Sequence, residues 1–358
     1  MAKKICILAL ITILFSLSSP WIDPATASLP NGNRLKDPYA ILRNSLPIEQ
    51  KELRELQNKL EDTSEDLRGG RWSAISKATS RSQFLVSNRK NEILDSIPEE
   101  NKEKAVILLS KLKQDLDELG QIANEKNKVS FVKVRRQSLK NIDDLESLLI
   151  TNNFPYEIPS EYDNLPRLLG RANVEIKTSK GNMSAIIDGY NAPLTAGAFI
   201  DLSLKGFYDG LPINRAEEFF ILQTGDPKGE EIGYVNPENN ELRTVPLEIR
   251  TPNSENTLYG QTFEEVGLYT EIPVLPFATL GTLGWAHSDS DLNDGSSQFF
   301  FFLYEAELNP AGRNLIDGRN AAFGYVIEGS EILNKLGVDD KIIEIKVLNG
   351  SENLKLKA

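Results

Sequence analysis

At 358 residues, with 40% hydrophobic and 26% charged residues, the chain has the composition of a globular protein long enough for two separate cores. Its net charge is −12, and from Pro166 onward 16 basic residues stand against 28 acidic ones, which argues against a nucleic-acid partner for that half. The only cysteine, Cys6, sits near the start, so the rest of the chain has no disulfide, thiol nucleophile or cysteine-bound metal.

Lys3 and Lys4 precede an apolar run from Ile5 to Leu17, and Ala25-Thr26-Ala27 offers a small-x-small cleavage site. Residues 1–27 therefore read as a signal peptide, with a retained N-terminal anchor as the alternative. The run is short for a membrane span and no later segment qualifies, so the expected mature protein starts near Ser28 and has no stable membrane span.

Residues 28–45 form a Pro/Gly/Asn-containing lead-in. In 46–151 the apolar residues recur at helical spacing: Ile48, Leu53, Leu56 and Leu60; then Ala105, Leu108, Leu112, Leu116 and Leu119; then Leu139, Ile142, Leu145 and Leu149. Gly69-Gly70 marks a helix end, and Ser96-Ile97-Pro98-Glu99 has the form of a capping box. Short connections between amphipathic helices predict an antiparallel four-helix bundle. Its charged faces read as solvated surface, or as a surface that docks a partner or its own neighbour.

Pro155, Pro159 and Pro166 make 152–166 a linker. From 167 to 358 the pattern changes to short β-rich runs. "NVEIKTSKGNMSAIID" predicts a hairpin turning near Lys180-Gly181-Asn182, "EEFFILQTGD" and "SQFFFFL" predict strands, "DKIIEIKVLNG" predicts a closing strand, and Leu194 to Lys205 predicts a helix ended by Gly206. Many short strands with few helices point to a barrel or sandwich.

On a strand, residues two apart share a face, so Gln298, Phe300 and Phe302 point one way while Phe299 and Phe301 point the other. One set can line a pocket while the other fills a core. A strand buried on both faces explains the same run without any function. "DSDLND", Asp289 to Asp294, lacks calcium-loop spacing and reads as a solvated turn.

The ordered pieces "APLTAGAFIDL", "GFYDGLPINR", "FFILQTGDPKG", "GSSQFFFFL" and "LIDGRNAAFGYVIEG" resemble the cyclophilin-type peptidyl-prolyl isomerases from about Asn173 to Leu348. With the leader and the helical half, the chain resembles the multidomain cyclophilins of the thylakoid lumen, whose helical part is similar to the extrinsic four-helix subunits of photosystem II. The resemblance implies an α+β multidomain protein in which the bundle precedes an eight-stranded antiparallel β-barrel capped by two helices. It also implies a groove that binds extended X-Pro segments, with photosystem II proteins among the clients, in the lumen or the periplasm.

Cis/trans rotation of a peptide bond breaks no bond, but amide resonance sets a barrier of roughly 18–20 kcal/mol. A catalyst therefore needs no metal, cofactor or nucleophile; it needs groups that bind the twisted amide better than the planar one. The twisted prolyl nitrogen becomes a better acceptor, which suits a fixed guanidinium. Carried over from the family, Arg215 is the catalytic arginine, and Gln223 orients both it and the substrate carbonyl. Phe220 and Phe300 seat the pyrrolidine ring, with Ile221 where a methionine is common. Gln298 holds the peptide backbone, and Ala286 and His287 lie beside the groove. The family pattern is departed from at Ile213-Asn214 ahead of the arginine, at Leu315 or Ile316 where an aromatic is usual, and at Asn320 in place of His or Tyr. The last change removes one wall of the proline pocket, so the alternative to an isomerase is a binding-only assembly chaperone or regulatory subunit. The alternative for Arg215 is a surface ion pair with Glu217 or Glu218, although its place in the matched segment favours the catalytic role.

Overall fold

The computed structural model describes residues 36–150, 154–252, 256–305 and 314–357; the signal-peptide reading lies outside them. Leucines three, four and seven apart give helix α2 (Lys51–Arg68) one apolar stripe, Leu53, Leu56, Leu60 and Leu67, all buried. The Gln50 side chain accepts the Leu53 N–H at its start, and Gly69 ends it. Helices α3 (Trp72–Asn88), α5 (Lys102–Glu125) and α6 (Lys128–Ser147) close a core with Ile75, Leu85, Leu112, Leu116, Phe131 and Ile142. A short α4 (Lys90–Asp95) lies between α3 and α5.

Two readings of this half need correction. Ser96 forms no capping box; its hydroxyl donates to the Ile93 carbonyl at 2.7 Å, closing α4 instead. The next helix is entered through a 3-10 turn, Glu99–Asn101. Leu108 is half-buried, and Leu109 fills the core position.

The lead-in contains a further element. Asp37 caps helix α1 (Pro38–Asn44), with proline in its first turn. Ile41 and Leu42 of α1 belong to the core of the C-terminal half, not to that of the bundle. Arg171 reaches across to the Leu42 carbonyl and to Ser45 Oγ, and Asn191 Nδ2 donates to the Ser45 carbonyl at 2.9 Å. From the bundle, Arg54 donates to the carbonyls of Arg43 (2.8 Å) and Leu46 (2.6 Å), while Arg43 pairs with Glu61 at 3.0 Å. Helix α1 is thus pinned from both sides.

The C-terminal half contains one eight-stranded antiparallel sheet. In chain order its strands are β1 (Arg171–Thr178), β2 (Gly181–Asp188), β3 (Arg215–Glu217), β4 (Ile221–Thr224), β5 (Thr282–Trp285), β6 (Phe299–Phe302), β7 (Ala322–Glu328) and β8 (Ile342–Asn349). The spatial order is β8-β1-β2-β7-β5-β6-β4-β3. The residues just before β3 bond to the start of β8: Gly210 N–H donates to the Ile342 carbonyl, Ile342 N–H to Leu211, and Ile213 N–H to Asp340. These bonds bring the two edges together, so the sheet curls into a barrel.

The first hairpin turns at Ser179-Lys180, since Thr178 faces Gly181. "EEFFILQTGD" is not one strand: β3 and β4 form a hairpin with Glu217 opposite Ile221, and Phe219 in its turn takes φ +60°. A phenylalanine in that region costs roughly 1–2 kcal/mol, and its ring is 52% exposed.

Helix α7 (Pro193–Leu204) is buried on every side. Its first N–H groups, at Leu194 and Thr195, donate to the buried Glu248 carboxylate at 3.2 and 2.6 Å, satisfying donors that no residue of the helix could accept. The second cap is a 3-10 helix, Ser330–Lys335.

Candidate active site

Strand pairing lines up residues that lie far apart in the chain. Arg215 faces Gln223, Gln223 faces Phe300, and Phe300 faces Gly284. Directly paired residues project from the same side of a sheet, so Arg215, Gln223 and Phe300 form one row across β3, β4 and β6.

The opposite face carries Phe299 and Phe301. Phe299 packs edge-on against Phe199 of α7 at 5.1 Å and against Tyr208 at 5.2 Å, inside the barrel. Phe300 instead stacks on Phe277, with centroids 5.7 Å apart and planes 14° apart. Phe277 also meets Phe302 edge-on at 5.7 Å, and Phe302 meets Phe220 at 6.3 Å. Phe220 and Phe300 are therefore linked through Phe302, which the strand period puts on the same face as Phe300, and through Phe277, which no sequence pattern marks. Phe300 is only 5% exposed beneath this cluster, while Phe220 is half-buried. The Phe277 N–H donates to Asp317 Oδ1 at 2.8 Å, and the Asn314 N–H to Asp317 Oδ2 at 2.8 Å. The buried aspartate of the Asp317-Gly318 pair thereby fixes the segment that lays Phe277 over Phe300.

Beside the aromatic cluster runs a chain of amides. Gln223 Nε2 donates to Gln298 Oε1 at 2.7 Å, and Gln298 Nε2 donates to Asp226 Oδ1 at 2.9 Å and to the Ile232 carbonyl at 3.2 Å. Gly225 makes this possible. Its φ is +92°, and a Cβ there would stand 2.5 Å from the Ser297 carbonyl oxygen. The Gln223 side chain is thus committed to Gln298. Arg215 is held by Glu217, with Nε 2.6 Å and Nη2 2.5 Å from Oε1.

The remaining residues lie around this row. Ile221 is buried opposite Phe302. Ala286 donates its N–H to the Gln298 carbonyl at 3.1 Å. His287 is half-buried; its Nε2 lies 3.0 Å from the Arg319 carbonyl and 3.3 Å from Asn320 Nδ2, and its Nδ1 2.8 Å from the Ser288 carbonyl. His287 and Asn320 therefore meet each other. Leu315 is 74% exposed, whereas Ile316 packs against the core. The acidic turn closes on itself, with Ser288 N–H donating to Asp294 and Asn293 N–H to Asp291.

Residues 173–347 match the family described as cyclophilin type peptidyl-prolyl cis-trans isomerase, and residues 37–150 match the CYP38-like, PsbQ-like domain. A Synechocystis protein designated a candidate thylakoid lumen peptidyl-prolyl cis-trans isomerase is 42% identical, over 97% of this chain and 94% of its own. The chain belongs to the cyclophilin-type peptidyl-prolyl cis-trans isomerases. The chloroplastic cyclophilin CYP38 of Arabidopsis thaliana is 37% identical over 93% of this chain and 78% of its own. A cyclophilin-type isomerase structure from Cryptosporidium parvum is 21% identical and covers 50% of this chain and 98% of its own, with a TM-score of 0.36. In this cyclophilin, sequence reasoning missed Phe277; it placed Phe302 on the face of Phe300 and named Glu217 as an ion-pair partner of Arg215, without giving either a part in the site. Glu217 was legible as an i, i+2 neighbour of Arg215 on a strand; for Phe277 no local signal exists.

Proposed function

We propose that this cyclophilin isomerises X-Pro bonds of lumenal client proteins, with the row of Arg215, Gln223 and Phe300 as its working face and photosystem II subunits among its clients. The alignment of a guanidinium, an amide and a phenylalanine on one side of three neighbouring strands is the observation that carries this reading. A planar X-Pro amide lies along the face with its ring against Phe220 and Phe300. Gln298 and the backbone beside Ala286 hold the flanking peptide. As the bond twists, the prolyl nitrogen regains its lone pair and accepts from Arg215, an interaction absent in both planar end states; only such an interaction lowers the barrier. In solution the same bond turns over on the order of tens to hundreds of seconds. The relatives' lumenal and chloroplastic designations support the compartment, and the match of the bundle to a PsbQ-like domain supports the client class.

A second reading, a chaperone that binds clients with little turnover, is favoured by the cover of Phe277 over Phe300 and by Asn320 where the family places an aromatic. The test is a protease-coupled isomerisation assay on the full mature chain and on Arg215→Ala, with circular dichroism to confirm folding. A rate that collapses in the variant supports the isomerase; equal rates in both remove Arg215 from catalysis. Co-purification from thylakoids that recovers no photosystem II component removes the client assignment.

A further inference from the structure

We infer that Glu217 is the positioning residue of this active site, holding the Arg215 guanidinium in the orientation in which it meets the substrate. The inference rests on the reading of Arg215 as the group that contacts the twisted imide.

Three observations carry it. Glu217 stands two residues after Arg215 on β3, so both side chains leave the same face of the strand. One carboxylate oxygen, Oε1, takes the guanidinium along a single edge, 2.6 Å from Nε and 2.5 Å from Nη2, a charge-assisted contact that restricts where the fork can sit. The cross-strand neighbour is turned elsewhere: Gln223, directly opposite Arg215, donates its Nε2 to Gln298 Oε1 at 2.7 Å, and Gln298 is held in turn by Asp226. A long arginine side chain that is half-exposed has many rotamers, and ordering it at the moment of reaction costs entropy. Glu217 imposes that order beforehand. It uses the Nε–Nη2 edge, so Nη1 on the other edge retains its donors for substrate.

Because the carboxylate touches the arginine and not the substrate in this account, its loss shows in turnover more than in peptide affinity. The pair is open to solvent, so its hold also weakens as salt screens it. The experiment measures kcat and KM on an Ala-Pro peptide for the full mature chain, Glu217→Gln, Glu217→Asp, Arg215→Ala and the Arg215→Ala/Glu217→Gln double variant, each at low and high ionic strength. Glu217→Gln is expected to lower kcat by about tenfold with KM nearly unchanged. Glu217→Asp should recover part of the loss, and the salt sensitivity of the wild type should vanish in Glu217→Gln. In the Arg215→Ala background the second substitution should do nothing further. A Glu217→Gln enzyme as fast as or faster than wild type, or one that loses the same factor with Arg215 already gone, overturns the inference while the assignment of Arg215 stands. An Arg215→Ala enzyme with unchanged kcat overturns that assignment and the inference with it.

Discussion

Arg215 and Gln223 are direct cross-strand partners, yet each is held by a different neighbour, Arg215 by Glu217 and Gln223 by Gln298. The arginine and the amide chain are therefore separable, and they make different predictions. Gln223→Leu keeps the Arg215–Glu217 pair but leaves Gln298 Oε1 without its donor. It should weaken peptide binding, seen as a raised KM, by about tenfold, the value of one well-made hydrogen bond of roughly 1.4 kcal/mol. A lowered kcat at constant KM would instead mean that Gln223 still serves Arg215.

Phe277 is expected to govern access to the proline seat. Its ring lies flat on Phe300 and edge-on to Phe302. Phe277→Ala should destabilise the fold by about 3–5 kcal/mol, so the milder Phe277→Leu is the informative variant, with a loss of about 1–2 kcal/mol. Uncovering part of Phe300 should tighten binding of an Ala-Pro peptide in a fluorescence titration. Unchanged affinity in a folded variant would show that peptides do not use this ring.

How much of this was readable beforehand depends on the range of each interaction. The alternation in "SQFFFF" was legible because the strand period is local, and Phe299 and Phe300 do pack against different rings, although the strand is buried on both faces and all four phenylalanines belong to one core. The β3–β4 hairpin was read as one strand because its turn carries Phe219 at φ +60° where turn chemistry favours glycine. Helix α1 was missed because seven residues cannot sustain a helix alone; its order comes from Arg171 and Arg54, far away in sequence. The same holds for Phe277, whose place depends on Asp317, forty positions later.

The grip on α1 can be tested at Arg171. This residue bonds the Leu42 carbonyl, Ser45 and the fully buried Asp188, whose Oδ2 is 2.9 Å from Arg171 Nε. Arg171→Met leaves the Asp188 carboxylate buried with its cation gone, a loss of about 3–5 kcal/mol. Hydrogen exchange should show α1 deprotected well before the bundle helices. Uniform loss of protection would mean that α1 and the two cores unfold as a unit.

Two buried carboxyls contribute to the pH dependence of stability. Glu146 is fully buried with its nearest cation, Arg54 Nη1, 3.6 Å away and neither carboxylate oxygen hydrogen-bonded among the described residues. Burial pushes its pKa up to about 8, against the opposing pull of Arg54. Glu248, at the start of α7, is pushed up to about 7 by burial despite the N–H groups of Thr195 and Leu194. A folded pKa above the unfolded one means that the native state binds more protons in between, so stability is fullest below about pH 4.5 for these groups and is lost as pH rises through 7 to 8. Other groups add their own dependence, so the clean measurement is a difference. Glu146→Gln, which mimics the protonated side chain, should be more stable than wild type at pH 9 by about 1–3 kcal/mol and nearly equal to it at pH 5. A constant difference across that range in denaturant titrations would rule out titration of Glu146.

Restoring an aromatic wall should raise turnover. Leu315 is 74% exposed, so a larger ring there meets no packing constraint from the core, and Asn320 already touches His287. Leu315→Trp and Asn320→His each return the kind of residue the family pattern calls for. If the missing wall limits activity, the double variant should gain about 1–3 kcal/mol of transition-state binding, or about tenfold to a hundredfold in kcat/KM. If the cover of Phe277 is the limit instead, the double variant gains nothing until Phe277→Leu is added. The three substitutions together then separate a pocket that lacks a wall from one that is already filled.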